Sequence, residues 1–170
     1  VPRGHGPTIR AAWDTLAASY IACGTPPIPF TDHEQAARHL EMSASYLQAA
    51  AMIVKKDPDL IAVYMPWSQL MGHALELAFK ACACSVSRLK KGHDLIILCE
   101  HAESLGFVVD PAQYQSIARL NHLYSSDAAT GNKYHARYWS QDIIFITPDR
   151  QGLIAVIEDL HRQSQGKMAP

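Results

Sequence analysis

The sequence predicts an all-α fold, an antiparallel bundle of five to six helices. Three observations lead there. Apolar residues recur every three or four positions through most of the chain. The stretches between those runs are short and carry Pro, Gly and Asp. No two runs pair convincingly as strands, and there is no internal repeat or low-complexity tract.

Composition agrees with a packed domain. With 170 residues, 48% of them hydrophobic and 18% charged, the chain is neither disordered nor fibrous. It can bury roughly 70% of its unfolded surface. A net charge of -1 excludes a whole-molecule attraction to nucleic acid, so any such binding needs a local basic patch. The four cysteines, Cys23, Cys82, Cys84 and Cys99, make no disulfide framework and read as buried thiols of a cytoplasmic protein. No apolar run approaches the ~18 residues of a membrane span, and no signal segment opens the chain. Val1-Pro2-Arg3-Gly4-His5 resembles the end of a thrombin-cleavable tag linker. Residues 1–6 are therefore set apart, 7–165 form the domain, and 166–170 read as a frayed end.

The first helix is expected from Thr8 to about Ala22, and Pro26, Pro27 and Pro29 break the stretch after it. Thr31-x-x-Glu34 is a capping box for the second helix, with Phe30 placed as a hydrophobic staple. Its seam is Leu40, Ala44, Leu47, Ala51 and Val54, and Asp57-Pro58 ends it. Pro66 suits the first turn of the third helix. There Leu70, Ala74, Leu77, Ala81 and Cys84, widened by Met71, Leu75, Ala78 and Cys82, suit a central position with several neighbours.

The remaining elements keep the same period. Leu95, Leu98, Cys99, Ala102 and Leu105 form one helix, stopped by Gly106. Asp110-Pro111 starts another, with Tyr114, Ile117, Asn121 and Tyr124 along one face. Ser125 to Lys133 reads as a loop, and Ile143-Ile144-Phe145-Ile146 as an extended segment packed on the bundle. The last helix starts at Thr147-Pro148-Asp149, faces Leu153, Val156, Ile157 and Leu160 inward, and frays after about Gln163.

Charge and periodicity meet between Gln69 and Leu105. Glu76 and Lys80 stand one helical turn apart, a spacing that forms ordinary ion pairs of ~0.2–0.5 kcal/mol. His73 shares their polar stripe, and Asn121, on an otherwise apolar face, needs a hydrogen-bond partner. The turn Arg88-Leu89-Lys90-Lys91-Gly92-His93 precedes a helix start, whose free amides would favour a phosphate. No metal or cofactor is expected. Cys82 and Cys84 point about 200° apart on a helix and cannot share an ion, and no phosphate loop or serine-nucleophile motif occurs.

Glu76-x-x-x-Lys80-Ala81 followed by Gly92-His93-Asp94-Leu95 resembles the HEPN family (higher eukaryotes and prokaryotes nucleotide-binding domain), as does the later Arg137-Tyr138. The resemblance covers about residues 67 to 138. It implies an antiparallel bundle, homodimers, and nucleotide or RNA association, in some members within toxin-antitoxin or defence systems beside a partner nucleotidyltransferase. Some members are metal-independent RNases that use Arg-x4-6-His. On that pattern Arg88 would stabilise phosphorane charge and His93 would act as general acid or base on a ribose 2′-hydroxyl. Leu89 departs from the polar residue usual after that arginine.

Three roles thus stay open for the turn: a structural connection with a capping histidine, non-catalytic anion binding, or catalysis. The ligand-binding set would be Lys80, Arg88, Lys90, Lys91, His93 and Arg137, with Arg137 among Tyr134, Tyr138 and Trp139 able to stack on bases. A purely structural or partner-binding helical protein is the remaining class.

Overall fold

The computed structural model describes residues 31–57, 63–124 and 148–169. All regular structure among them is helical. The expected first helix, the Phe30 staple, Cys23, Arg137 with its aromatic neighbours, and the 143–146 segment lie outside the described residues.

Helix α1 (Asp32–Lys56) begins with the expected capping box. The Glu34 amide donates to the Thr31 hydroxyl at 3.2 Å, and the Thr31 amide donates back to the Glu34 carboxylate at 2.8 Å. These bonds satisfy two of the groups that a helix start leaves without partners. The buried face of α1 differs from the expected seam. Ala44 and Ala51 are exposed, whereas Ala36, Leu40, Ser43 and Ala50 are buried. A hydrogen bond from a buried serine accompanies this rotation. The Ser43 hydroxyl donates to the Ala74 carbonyl at 2.7 Å, so a serine lies on the face that apolar residues alone would not assign to the core.

Helix α2 (Tyr64–Ser85) is the centre. It touches all four other described helices, and its residues from Ala74 to Phe79 are buried without interruption. Small side chains let those neighbours approach closely. A Cβ at Gly72 would overlap the ring of Tyr124, so only glycine leaves room for that ring.

The C-terminus of α2 closes through a left-handed residue. Ser87 has φ 56°, the Arg88 amide donates to the Ala83 carbonyl at 2.8 Å, and the Ser87 amide donates to the Cys84 carbonyl at 2.9 Å. The helix itself ends at Ser85. Helix α3 (Leu95–Ser104) ends with the same hydrogen-bond pattern, Gly106 supplying φ 82° as expected.

Asp110 and Pro111 start a short 3-10 turn (Pro111–Gln113) that leads into α4 (Tyr114–Tyr124). Asp149 caps α5 (Arg150–Met168), which buries Leu153, Val156, Ile157 and Leu160 as expected. This helix continues past Gln163, where fraying was expected. Ser164 is fully buried, and its hydroxyl meets the Cys82 sulfur at 3.1 Å. Gln163 itself accepts from the Val108 amide and donates to the Val108 carbonyl, both at 2.9 Å. Polar side chains thus hold a segment whose sequence lacks an apolar stripe.

Gly72→Ala should destabilise the fold by about 1–3 kcal/mol, because the added methyl meets the inner atoms of the Tyr124 side chain. The check is urea denaturation, with a lowered midpoint and an unchanged slope expected.

Candidate functional site

The polar stripe of α2 converges on one carboxylate. Glu76 is 4% exposed and accepts from three donors. Lys80 Nζ lies 2.5 Å from Oε1, His93 Nδ1 lies 3.0 Å from Oε2, and the Tyr124 hydroxyl donates to Oε2. Helical spacing places Lys80 one turn along, the turn after α2 returns His93 over the same carboxylate, and the last residue of α4 contributes Tyr124. Glu76 and Lys80 therefore belong to a tie between three elements, beyond an ordinary surface pair. The two short motifs that carry the HEPN resemblance touch each other through the Glu76–His93 bond.

The cluster continues toward α1. The Tyr124 hydroxyl also lies 2.8 Å from His73 Nδ1. Since the tyrosine proton goes to Glu76, the His73 nitrogen is the donor in that pair. Tyr46 of α1 stacks on the His73 ring with centroids 5.0 Å apart. His39 stands within electrostatic reach of Lys80 and Glu76, and its buried Nδ1 has no hydrogen-bond partner among the described residues. Tyr46, His39 and the hydroxyl of Tyr124 were not singled out by sequence reasoning. The signal that could have found Tyr124 is Gly72, a glycine inside a long helix that marks a close approach.

Asn121 finds its partners beside this cluster. Its side-chain oxygen accepts from the Leu95 amide at 2.8 Å, and its nitrogen donates to Asp94 at 3.3 Å. Asp94 is the N-cap of α3 and accepts the Ile96 and Ile97 amides at 2.9 and 3.0 Å. The Leu98 amide donates to the Asp94 carbonyl at 3.0 Å.

The three amides of the first helical turn, those of Leu95, Ile96 and Ile97, are therefore engaged by side chains, and a carboxylate stands over them. This corrects the expectation that they would attract a phosphate, because the protein supplies its own anion there. Any anion contacting the turn must use side chains.

Those side chains are exposed. Arg88, Lys90, Lys91 and His93 all face solvent, and among the described residues no carboxylate pairs with Arg88, Lys90 or Lys91. The backbone of the turn is held at both ends. Arg88 donates its amide to Ala83 and accepts from His101 Nε2 at 2.8 Å, while His93 is tied to Glu76. Lys80, by contrast, is 15% exposed and committed to Glu76, so it supports the site from beneath. Arg88 belongs to the exposed turn and is not in the hydrogen-bonded cluster of His93. No group of three or more His, Cys, Asp or Glu among the described residues is arranged for a metal ion, and no described helix is long and apolar enough to cross a membrane.

Among the described residues, fold and site together define a helical protein with one buried, hydrogen-bonded carboxylate next to an exposed cationic turn. Comparison with protein-family models, curated proteins and solved structures yielded no match to this chain.

Burial is the largest single influence on Glu76 and favours its protonated form, but the bonds from Lys80, Tyr124 and His93 together outweigh it. Its carboxyl is held below the ordinary value of 4.5. The stability it contributes is present above that value and is lost as pH falls through the depressed one. His39 and His161 are both held below 6.5, chiefly by burial, with Lys80 adding to the effect at His39. A fold that keeps these rings neutral loses stability as pH falls below 6.5 and the unfolded chain takes up their protons. Thermal melts should therefore show a first loss below 6.5 and a second below 4.5, and substituting both histidines by Gln should reduce the first.

Glu76→Ala leaves Lys80 and Tyr124 without their acceptor and should cost about 3–5 kcal/mol, measured by urea denaturation at neutral pH.

Proposed function

We propose that this protein is a HEPN-like nucleotide- or RNA-binding protein that contacts its ligand through the exposed turn from Arg88 to His93. The observation that carries this reading is the turn itself. Three cations without carboxylate partners among the described residues stand on a backbone anchored to α2 and α3. The resemblance of the flanking motifs to HEPN chains supports the same ligand class. With Asp94 and Asn121 occupying the helix start, recognition falls to Arg88, Lys90, Lys91 and His93, with Arg137 as a further member of the set. The same resemblance supports a cytoplasmic homodimer and a partner protein such as a nucleotidyltransferase, in the setting of a toxin-antitoxin or defence system.

A second reading, a metal-independent endoribonuclease, is favoured by one feature. Glu76 holds His93 through Nδ1 while the His93 side chain as a whole stays 75% exposed, an arrangement that suits proton transfer, with Arg88 as the phosphate stabiliser.

Fluorescence anisotropy with a labelled single-stranded RNA tests the binding reading. Affinity should fall with salt, and each of Arg88→Ala, Lys90→Ala and Lys91→Ala should lower the slope of log affinity against log salt by about 0.7. An unchanged slope in all three variants would remove the turn as the contact surface. Incubation with RNA in excess EDTA tests the second reading, which predicts cleavage that Arg88→Ala and His93→Ala abolish. Light scattering tests the homodimer, and a monomer mass at all concentrations would contradict it.

A further inference from the structure

We infer that Arg88, Leu89, Lys90, Lys91 and Ile97 form a docking surface for an acidic protein segment that carries an apolar anchor residue. This goes beyond the RNA- or nucleotide-binding reading and does not depend on it.

The observation is an apolar pair set beside cations. Leu89 and Ile97 are 42% and 49% exposed, two of the six large apolar side chains left exposed among the described residues. Of the others, Met42 and Met52 lie on α1, Val108 on the connector after α3, and Tyr114 donates its hydroxyl to Glu103.

The path of the chain brings Leu89 and Ile97 together with Arg88, Lys90 and Lys91. The Arg88 carbonyl accepts from His101 Nε2 at 2.8 Å, and Asp94 caps the start of α3. The turn therefore runs back along α3 between those two points. Ile97 lies between them too, three residues after Asp94 and four before His101, on the face that His101 shares.

Chemistry then selects the partner. Single apolar residues are ordinary on a surface, but an apolar pair rimmed by cations has the anatomy of a protein interface. No carboxylate among the described residues pairs with Arg88, Lys90 or Lys91, so the rim complements an acidic ligand. The Asp94 carboxylate is bonded to the Ile96 and Ile97 amides. Exposed Glu100 lies about 60° around α3 from Ile97, on the side away from His101, where it bounds the patch.

Two other ligand classes fit less well. Stacking platforms for bases are aromatic, and Leu89 and Ile97 offer a base no such face. Membrane-surface helices sink an apolar face about 5–10 Å into the headgroup boundary, and two half-exposed side chains are too shallow for that. A protein segment meets both parts, with carboxylates at the rim and an apolar side chain over Leu89 and Ile97. The turn is already anchored to Ala83, His101 and Glu76, so docking orders little that is loose.

A phage-displayed library of random peptides tests the surface. Selection against the whole protein should enrich peptides that combine Asp and Glu with Leu, Ile or Phe. Fluorescence anisotropy with one of them, labelled, then gives affinities. Leu89→Ser and Ile97→Ser should each weaken binding by about fivefold or more, as truncation at the centre of an interface does. Lys90→Ala and Lys91→Ala should also weaken it, and that loss should shrink as salt is added. Both apolar side chains are exposed, so Leu89→Ser and Ile97→Ser should keep the parent's urea midpoint.

No enrichment, enrichment of peptides without acidic residues, or parent-like binding by Leu89→Ser and Ile97→Ser would overturn the inference. So would parent binding to vesicles of phosphatidylserine and phosphatidylcholine that Leu89→Ser abolishes, since the pair would then serve a lipid surface. Single-stranded RNA separates this surface from the proposed function, because both serine variants should bind it as the parent does. A loss of RNA affinity in either would assign the pair to the nucleic-acid contact and sink the inference. Absence of RNA binding by the parent would remove the RNA reading and leave this inference standing.

Discussion

The structure depends on keeping one negative charge inside it. Glu76 lies in the middle of the central helix, on a stretch buried on every side. An unpaired carboxylate there would cost several kcal/mol. The chain answers with three donors from three places: one turn along the same helix, the connection after it, and the end of α4. Each donor fixes the element that brings it. Removing the charge would release the path of the turn and the position of Tyr124 together, which gives the cluster an architectural role before any chemical one.

Much of the fold could be read from sequence because it rests on short-range rules. The Thr31 capping box, the Asp149 cap, the Gly106 stop and the apolar spacing of α5 depend on a few neighbouring residues, and the structure contains them all. The errors lie where long-range polar contacts decide. Ser43 lies on the buried face of α1, where its hydroxyl meets a carbonyl 31 residues away. Ser164 and Gln163 extended α5 because their partners lie on α2 and the α3–α4 connector. A hydropathy pattern registers serine and glutamine as polar and cannot register the atoms that satisfy them.

The site was legible in the same uneven way. Sequence grouped Glu76, Lys80 and His73 on one stripe and placed His93 on the next turn, but could not bring the two groups together. It marked Asn121 as needing a partner without saying where, and the partner is the helix start that had been assigned to a phosphate. That change has a chemical consequence. A helix start whose amides are taken by Asp94 and Asn121 leaves recognition of an anion to the long side chains of the turn, which can move to suit a ligand.

The three described cysteines have a consequence outside folding and recognition. Cys82, Cys84 and Cys99 are all buried, and burial raises their thiols to about 12, 11 and 12. Almost no thiolate exists on them at neutral pH, and thiolate is the form that reacts with oxidants and disulfides. The core around α2 is therefore redox-silent. A change in cellular oxidant would leave these thiols unaltered while the helices stay closed, so modification at these three positions reports that the bundle has opened.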